Sequence, residues 1–525
     1  MGTLSQILSH SRLLGWATRL LSYDAWAVVE GSLMTQKFRS LRDGVAGVLD
    51  DMTHGVSERS FVRKILSQVL RPQVYLGLTM LLMLLLTLTD TGIIGLFTWL
   101  LAIMGAWFWF KNITVRDEMP LNQAVQWSMI DTCVVLYFLS AVLSTVCSSY
   151  LFTSLLGLKK ALTFAAGYGA FRMVVSIWGR RGIWLVLGTW MLLGFIQALI
   201  GFYQYKFNIQ PLATWQDPTL NPDWMMTRVF GTLQPSNPNL LAGFLVPCLA
   251  ASLGWVVICT RQVMQATPSQ RLRQIMHWVA CAVMSAGIAA ALVLTGSRGG
   301  YLAIAAISAG FFAMIGHLIW HAREFQSDTV GRSKLKIAWV LILVLSVSAA
   351  LVGILGSEKI RHRIESIGSM RADSSISYRL NVYQSAVKMI AHNPLVGIGP
   401  GNETFKQVYG LYMIPGYNAL GTYSVPLEIW VEQGVIGFGI FALLMILLSV
   451  KTMLLIDRQT YPLEEKWMMA ILWMILVGSM TYGLFDTIWY RPAVQLTFWF
   501  TVAAMSSLHL PALKENNLAT ESSQA

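Results

Sequence analysis

Charge is what this sequence has least of. Only 12% of its 525 residues are Asp, Glu, Lys or Arg, while 55% are apolar. A soluble chain carries about 25% charged residues. The deficit excludes an ordinary soluble globular protein, a long disordered chain and a nucleic-acid-binding module. Cysteine is also sparse. Cys133, Cys147, Cys248, Cys259 and Cys281 lie in or beside apolar runs, with neither a disulfide framework nor zinc-ligand spacing. No cleavable leader is evident, because the first long apolar run begins near residue 74.

What is present is length without charge. Mean hydropathy is +0.56, and the apolar residues come in runs of about 16–22, which suffices to cross a bilayer. The expected fold is all-α: a polytopic transmembrane helical bundle of about twelve spans. They fall near 74–89, 92–110, 129–147, 160–178, 183–203, 239–260, 276–296, 300–320, 337–355, 435–451, 467–487 and 491–509. The fourth carries Lys159 and Lys160 at its start and Arg172 inside. Residues 1–73 mix apolar pairs with Arg12, Arg19, Lys37, Arg39 and Arg42, the pattern of a basic interfacial segment on the cytoplasmic side. The polar tail 511–525 reads as disordered.

The net charge of +12 fits short cytoplasmic loops better than a nucleic-acid partner. With the N-terminus inside, inner loops hold Lys111, Arg116, Arg180, Arg181, Arg261, Arg271, Arg273, Arg323, Arg332, Lys334, Lys336, Lys451, Arg458 and Lys466. The short outer loops hold only Lys159, Lys160, Lys206, Arg228, Arg298 and Arg491. The bias places both termini in the cytoplasm of a bacterial inner membrane. Residues 356–434, between spans nine and ten, then form a large periplasmic loop, too long for a mere connector. Within it, 375–392 has helical spacing, with Tyr378, Val382, Tyr383, Ala386, Met389 and Ile390 on one face.

Several residues could carry chemistry. Arg228 and Arg298 are arginines on the face that the charge bias disfavours. They read either as snorkelling anchors or as guanidinium forks for a phosphate or carboxylate. Arg379, on the loop helix, is a candidate third member. Asp131 and Asp486 are acids inside or at the edge of spans, which marks a function; for Asp486 a structural pair with an outer-face arginine is the alternative. The run Gly397-Ile398-Gly399-Pro400-Gly401-Asn402 lacks the Lys-Ser/Thr of a P-loop, so it reads as a turn after a helix or as an anion nest. His317 and His321 have i, i+4 spacing but no zincin Glu between them, and His392 sits beside Asn393-Pro394 where capping is expected. No metal or cofactor is implied.

These motifs, in order, resemble the O-antigen ligase/polymerase superfamily of bacterial inner-membrane proteins. The resemblance spans most of 70–510. It rests on Arg228-x-x-Gly231-Thr232 with Asn237-Pro238-Asn239-Leu240-Leu241-Ala242, on Ser297-Arg298-Gly299-Gly300, on 394–402, and on Leu427-x-x-x-x-Glu432-x-Gly434-x-x-Gly437. Tyr423-Ser424-Val425-Pro426-Leu427-Glu428 and Phe485-Asp486-Thr487-Ile488-Trp489-Tyr490-Arg491-Pro492 look closer to the cyanobacterial IctB family, named as bicarbonate transporters.

The ligase resemblance implies outer-face arginines holding the pyrophosphate of an undecaprenyl-linked glycan. Arg228 and Arg298 match that role, with Arg379, Asn402, Glu432 and Asp486 as further substrate contacts. It also implies a histidine that activates the acceptor hydroxyl. At that place this chain has Tyr423, whose ordinary pKa of about 10 makes it a poor base. Tyr423 and His392 are the candidate catalytic residues. Three readings follow: a metal-independent glycosyltransferase, an inorganic-carbon transporter as the IctB name states, and a non-catalytic envelope subunit. The partners implied are the lipid bilayer and either a lipid-linked glycan or bicarbonate.

Overall fold

The computed structural model describes residues 70–111, 125–211, 227–321, 374–457, 461–486 and 489–508, with positions 113, 121 and 358 besides. The readings of 1–69, of the ninth span, of 356–373 apart from position 358, and of the tail lie outside them. The described residues are helical, with no strand among them. In chain order the helices are α1 (Pro72–Leu88), α2 (Thr91–Phe110), α3 (Met129–Val146), α4 (Leu151–Lys206), α5 (Pro238–Gln265), α6 (Pro268–Leu294), α7 (Arg298–His321), α8 (Ser374–His392), α9 (Asn402–Tyr409), α10 (Val425–Asp457), α11 (Leu463–Gly483) and α12 (Pro492–Ser507). Seven of them, α2 to α7 and α10, are long and apolar enough to cross a membrane. The exact count of twelve spans is not fixed by these helices.

Two of the long helices are broken, each at a glycine in a conformation that side chains avoid. Gly179 (φ 55°) splits α4, whose 56 residues would otherwise run to about 84 Å at 1.5 Å per residue. Its halves cover the predicted fourth and fifth spans, although the first begins already at Leu151. Gly434 (φ 64°) splits α10. Residues 425–433, assigned from sequence to the loop, are therefore helical. Glu428, Glu432 and Gln433 made that turn too polar to read as part of a span.

A broken helix leaves backbone groups without partners, and in an apolar bundle each must be satisfied. Here the strip after α8 supplies them. Val435 N donates to Pro394 O (2.8 Å), Ile436 N to Leu395 O (3.3 Å), Ile398 N to Val431 O (3.0 Å) and Gly399 N to Glu432 O (3.1 Å). Ser144 Oγ adds a bond to Glu432 O at 2.5 Å, and Ser148 Oγ one to Ile398 O at 2.6 Å. The glycine run is thus a turn, as read. Its amides at 398 and 399 are committed to carbonyls, which removes them from the anion-nest alternative.

The two ends of the bundle are chemically distinct. At one end Arg172 Nε meets Asp131 Oδ1 at 2.8 Å, with both side chains buried. Tyr168 OH (2.5 Å) and Ser506 Oγ (2.9 Å) also donate to Asp131. Arg172 Nη2 donates to Gln126 O at 2.7 Å, and Lys451 Nζ to Ser506 O at 3.0 Å. Asp131, read from the sequence as a functional acid, is instead paired with Arg172 inside a buried cluster. His317 lies beside Asp457 (3.9 Å). Between the ends the core is aromatic: Trp499 touches Tyr137, Phe138, Tyr168 and Phe498, and Trp190 packs edge-on to Phe500.

A Cβ at Gly434 would sit 2.2 Å from Leu395 O, whereas one at Gly439 meets nothing within 4 Å. Gly434→Ala is expected to destabilise by more than about 1 kcal/mol. Gly439→Ala, in open helix, is expected to stabilise by about 0.5–1 kcal/mol. Thermal unfolding of the purified variants in detergent checks both signs.

Candidate functional site

The opposite end gathers most of the arginines singled out from the sequence. Arg228 lies on a turn that two buried amides of α4 hold in place. Gln204 Oε1 accepts from Phe230 N and Gly231 N (both 2.9 Å), and its Nε2 donates to Gly231 O (2.9 Å). Gln197 Oε1 accepts from Thr232 N (2.9 Å) and its Nε2 donates to Thr232 Oγ1 (2.8 Å). Thr232 Oγ1 in turn donates to Thr87 O (2.7 Å), tying the turn to α1. Val229 N donates to Leu294 O at the end of α6 (3.2 Å).

With its backbone fixed, the Arg228 side chain lies across the α6–α7 turn. Its Nε donates to Thr295 O (2.8 Å) and its Nη2 to Asn239 Oδ1 (2.6 Å). The stem passes over Gly296 (φ 62°), where a Cβ would stand 3.3 Å from Arg228 Cγ and Nε. That turn carries Arg298 at the start of α7, half-buried. Burial lowers the Arg228 pKa below the usual arginine value. The nearby Arg298 charge acts in the same direction, while Tyr482, Asp486 and Tyr301 oppose it. Two guanidinium groups are thus within electrostatic reach of each other, with Asp486 near enough to offset part of their repulsion.

Arg379 joins this group from α8. Its guanidinium lies 5.8 Å from the Tyr423 ring centroid, a cation–π contact. Tyr383, Tyr423 and Tyr482 each sense both Arg379 and Asp486. Tyr383 OH donates to Tyr423 O at 3.1 Å, and the Tyr378 ring packs edge-on to Tyr423. Tyr423 has φ 56°, a left-handed conformation uncommon for an aromatic residue. Burial, followed by Tyr378 and Asp486, raises the Tyr423 pKa well above the ordinary phenol value, with Arg379 opposing. The phenol is therefore a hydrogen-bond donor across the physiological range. Arg228, Arg298, Arg379, Tyr423 and Asp486 are together.

Glu432 lines a separate pocket, to which Asn402 is tied through Lys160. A cavity of about 40 Å³ is lined by Glu428, Glu432, Lys160, Tyr137, Tyr490 and Gly401, among others. Tyr490 OH donates to Glu432 Oε1 at 2.6 Å, and the Gly401 amide faces the same carboxylate. The third part of the glycine run thus meets a carboxyl group that the chain itself supplies. Lys160 Nζ donates to Asn402 Oδ1 at 3.0 Å. Gly157 admits the loop: a Cβ there would meet Pro400 O at 1.9 Å.

His392 is not brought to either group. It ends α8, thirteen residues beyond Arg379, which is about 20 Å of helix. Its Nδ1 lies 2.8 Å from Lys388 O and its ring packs on Tyr412, as capping would have it. Sequence reasoning missed Gln197, Gln204, Tyr482, Tyr490 and Lys160. The signal for the first two was present: an uncharged amide in an otherwise apolar span needs a partner.

The chain's relatives can now be set against this geometry. Residues 282–442 match the family model for O-antigen ligase. The match covers under a third of the chain and includes Arg298, Arg379, Tyr423 and Glu432, but neither Arg228 nor Asp486. No curated protein matches the sequence. The match and the seven apolar helices together support a multi-pass membrane protein that is similar to O-antigen ligase over residues 282–442.

Gln204 serves two amides and one carbonyl of the arginine turn. Gln204→Leu strands them and is expected to cost about 2 kcal/mol, within the usual range for buried groups left without partners. The unfolding temperature should fall accordingly. An unchanged melting temperature would remove Gln204 as the support of that turn.

Proposed function

We propose that the protein is a membrane glycosyltransferase of the O-antigen ligase type. It holds the pyrophosphate of an undecaprenyl-linked glycan through Arg228 and Arg298. The supporting observation is the convergence of these arginines, from turns on either side of α5 and α6, beside Arg379 and Asp486. Guanidinium groups suit a pyrophosphate because they stay charged and bind its oxygens two at a time. Attack of an acceptor hydroxyl on the anomeric carbon breaks the bond to the pyrophosphate, and negative charge builds on the leaving oxygens. Positive charge fixed in advance at that point lowers the barrier.

In this reading the arginine end is the periplasmic face and both termini are cytoplasmic. Tyr423 takes the place where the ligases carry histidine. With its phenol raised above the ordinary range, it donates a hydrogen bond to substrate and does not remove the acceptor proton. Glu432, in its separate pocket, and Asn402, tied to that pocket through Lys160, act through the loop that carries Tyr423. The IctB-like features of 423–428 and 485–492 concern the same face, and bicarbonate is the competing anion there.

Transfer of a labelled lipid-linked glycan in proteoliposomes is the direct test. Arg298→Ala is expected to reduce transfer at least about a hundredfold, the scale of losing one donor to developing charge, with membrane insertion intact. Saturable uptake of labelled bicarbonate that is lost in Arg298→Ala, without glycan transfer, would replace this reading with transport.

The pH profile tests Tyr423 separately. A phenol acting as base, with its pKa above the ordinary value, would make turnover climb steadily with pH through the alkaline range without levelling off. We expect no such limb in the wild-type protein. Tyr423→Phe should lower turnover by about tenfold, the worth of one hydrogen bond, without changing the shape of the profile. An alkaline limb that vanishes in Tyr423→Phe would make the phenolate the base after all.

A further inference from the structure

Tyr482, at the end of α11, is fully buried. Its hydroxyl donates to Asn239 O at 2.6 Å and accepts from Ser297 Oγ at 3.3 Å. Asn239 is the residue whose side chain accepts from Arg228 Nη2, and Ser297 immediately precedes Arg298. Ser297 Oγ also accepts from Gly300 N (3.3 Å), capping the first turn of α7. Arg228 Nε closes the circuit on Thr295 O, two residues before Ser297. The result is a ring of hydrogen bonds: Arg228, Asn239, Tyr482, Ser297, Thr295 and back to Arg228. It links three segments distant in sequence. Gly299 brings α7 close: a Cβ there would stand 3.4 Å from the Tyr482 ring.

From this ring we infer that Tyr482 is a positioning residue that fixes the separation of the Arg228 and Arg298 guanidinium groups, so that the pair takes a two-centre anion such as a pyrophosphate. The inference rests on the reading of those arginines as an anion cradle. The backbone turns anchor each arginine at its base, and Arg228 Nε and Val229 N bond directly to the end of α6 and the turn after it. To these the Tyr482 hydroxyl adds a bridge between Asn239, the partner of Arg228 Nη2, and Ser297, the neighbour of Arg298. A two-centre anion needs both guanidinium groups at one spacing, whereas a single phosphate needs one of them. Loss of the bridge should therefore cost affinity for pyrophosphate selectively.

The experiment uses the full chain in detergent, as wild type, Tyr482→Phe and Ser297→Ala. Binding of inorganic pyrophosphate and of inorganic phosphate is measured by calorimetry. Labelling of Arg228 and Arg298 by phenylglyoxal is followed by mass spectrometry. Tyr482→Phe keeps the ring against Gly299 and removes only the hydroxyl. Pyrophosphate affinity should fall about tenfold, as for one lost hydrogen bond, with phosphate affinity changed less than about twofold. Arg228 labelling should quicken several-fold. Ser297→Ala, which opens the ring from its other side, should do the same if Tyr482→Phe folds poorly.

Equal losses for both anions, or unchanged affinity with unchanged labelling, would overturn the assignment. A wild-type protein that binds neither anion, with labelling still faster in Tyr482→Phe, would uphold the positioning role and defeat the anion reading instead. Unchanged labelling in that setting would defeat both.

Discussion

The backbone exchange at Gly434 is the contact on which the rest of the arginine end depends. A helix broken inside an apolar bundle is stable only where something else meets its freed amides and carbonyls. Residues 394–399 do so through four main-chain bonds, backed by Ser144 and Ser148. This strip joins α8 to the glycine turn and α9. The same bonds that complete α10 therefore anchor the extramembrane segment that holds Arg379. The positive φ of Gly397 (73°) and Gly399 (107°) lets the strip lie flat against the break. At Gly157 and Gly401 two backbones touch, where any side chain would intrude.

Around that anchor the protein spends polar groups sparingly. The Arg228 turn is built on two buried glutamines, Gln197 and Gln204, near the C-terminal end of the apolar helix α4. Amides suit this place because they donate and accept without adding charge. Charge enters only beyond them, as Arg228, Arg298, Arg379 and Asp486. The tyrosines 378, 383, 423 and 482 fill the space between these groups. Their rings exclude water and their hydroxyls stay protonated outside the helices that span, as the upward shifts at Tyr378, Tyr383 and Tyr423 show. Burial comes first among the causes at each of the three. A low-polarity surround makes the arginine charges act more strongly on whatever anion lies between them.

The sequence was most informative where one physical rule acted alone. Apolar run length located α1 to α3, α5, α7, α11 and α12 to within about five residues, because lipid and core both demand unbroken hydrophobicity; α4 and α6 begin well before the runs read for them, at Leu151 and Pro268. The apolar face of α8 was legible too: Val382, Ala386 and Met389 are buried as their spacing required. The arginines stood out because charge bias disfavoured them. The breaks at Gly179 and Gly434 were not legible, since each is a long-range bargain. A glycine announces freedom, and only the strip at 394–399 explains why α10 uses it. Tyr482 escaped for a similar reason. One more aromatic residue near a helix end carries no mark until Asn239 and Ser297 are seen on either side of its hydroxyl. His392 shows the reverse, a residue type that suggests chemistry in a place that gives it a cap.

The ion pair at the far end bears on how the bundle can move. Asp131 and Arg172 join α3 to α4, and through Ser506 they also engage α12 and Lys451 of α10. Four helices are riveted there by groups that cannot be separated without stranding a charge in a dry interior, at about 3–5 kcal/mol. A rocker that opened alternately to both sides would strike that penalty on every cycle. Motion that flexes only the arginine end would not. The far end is thus the fixed frame of the bundle, and a rearrangement that keeps its four helices together leaves every buried charge there paired.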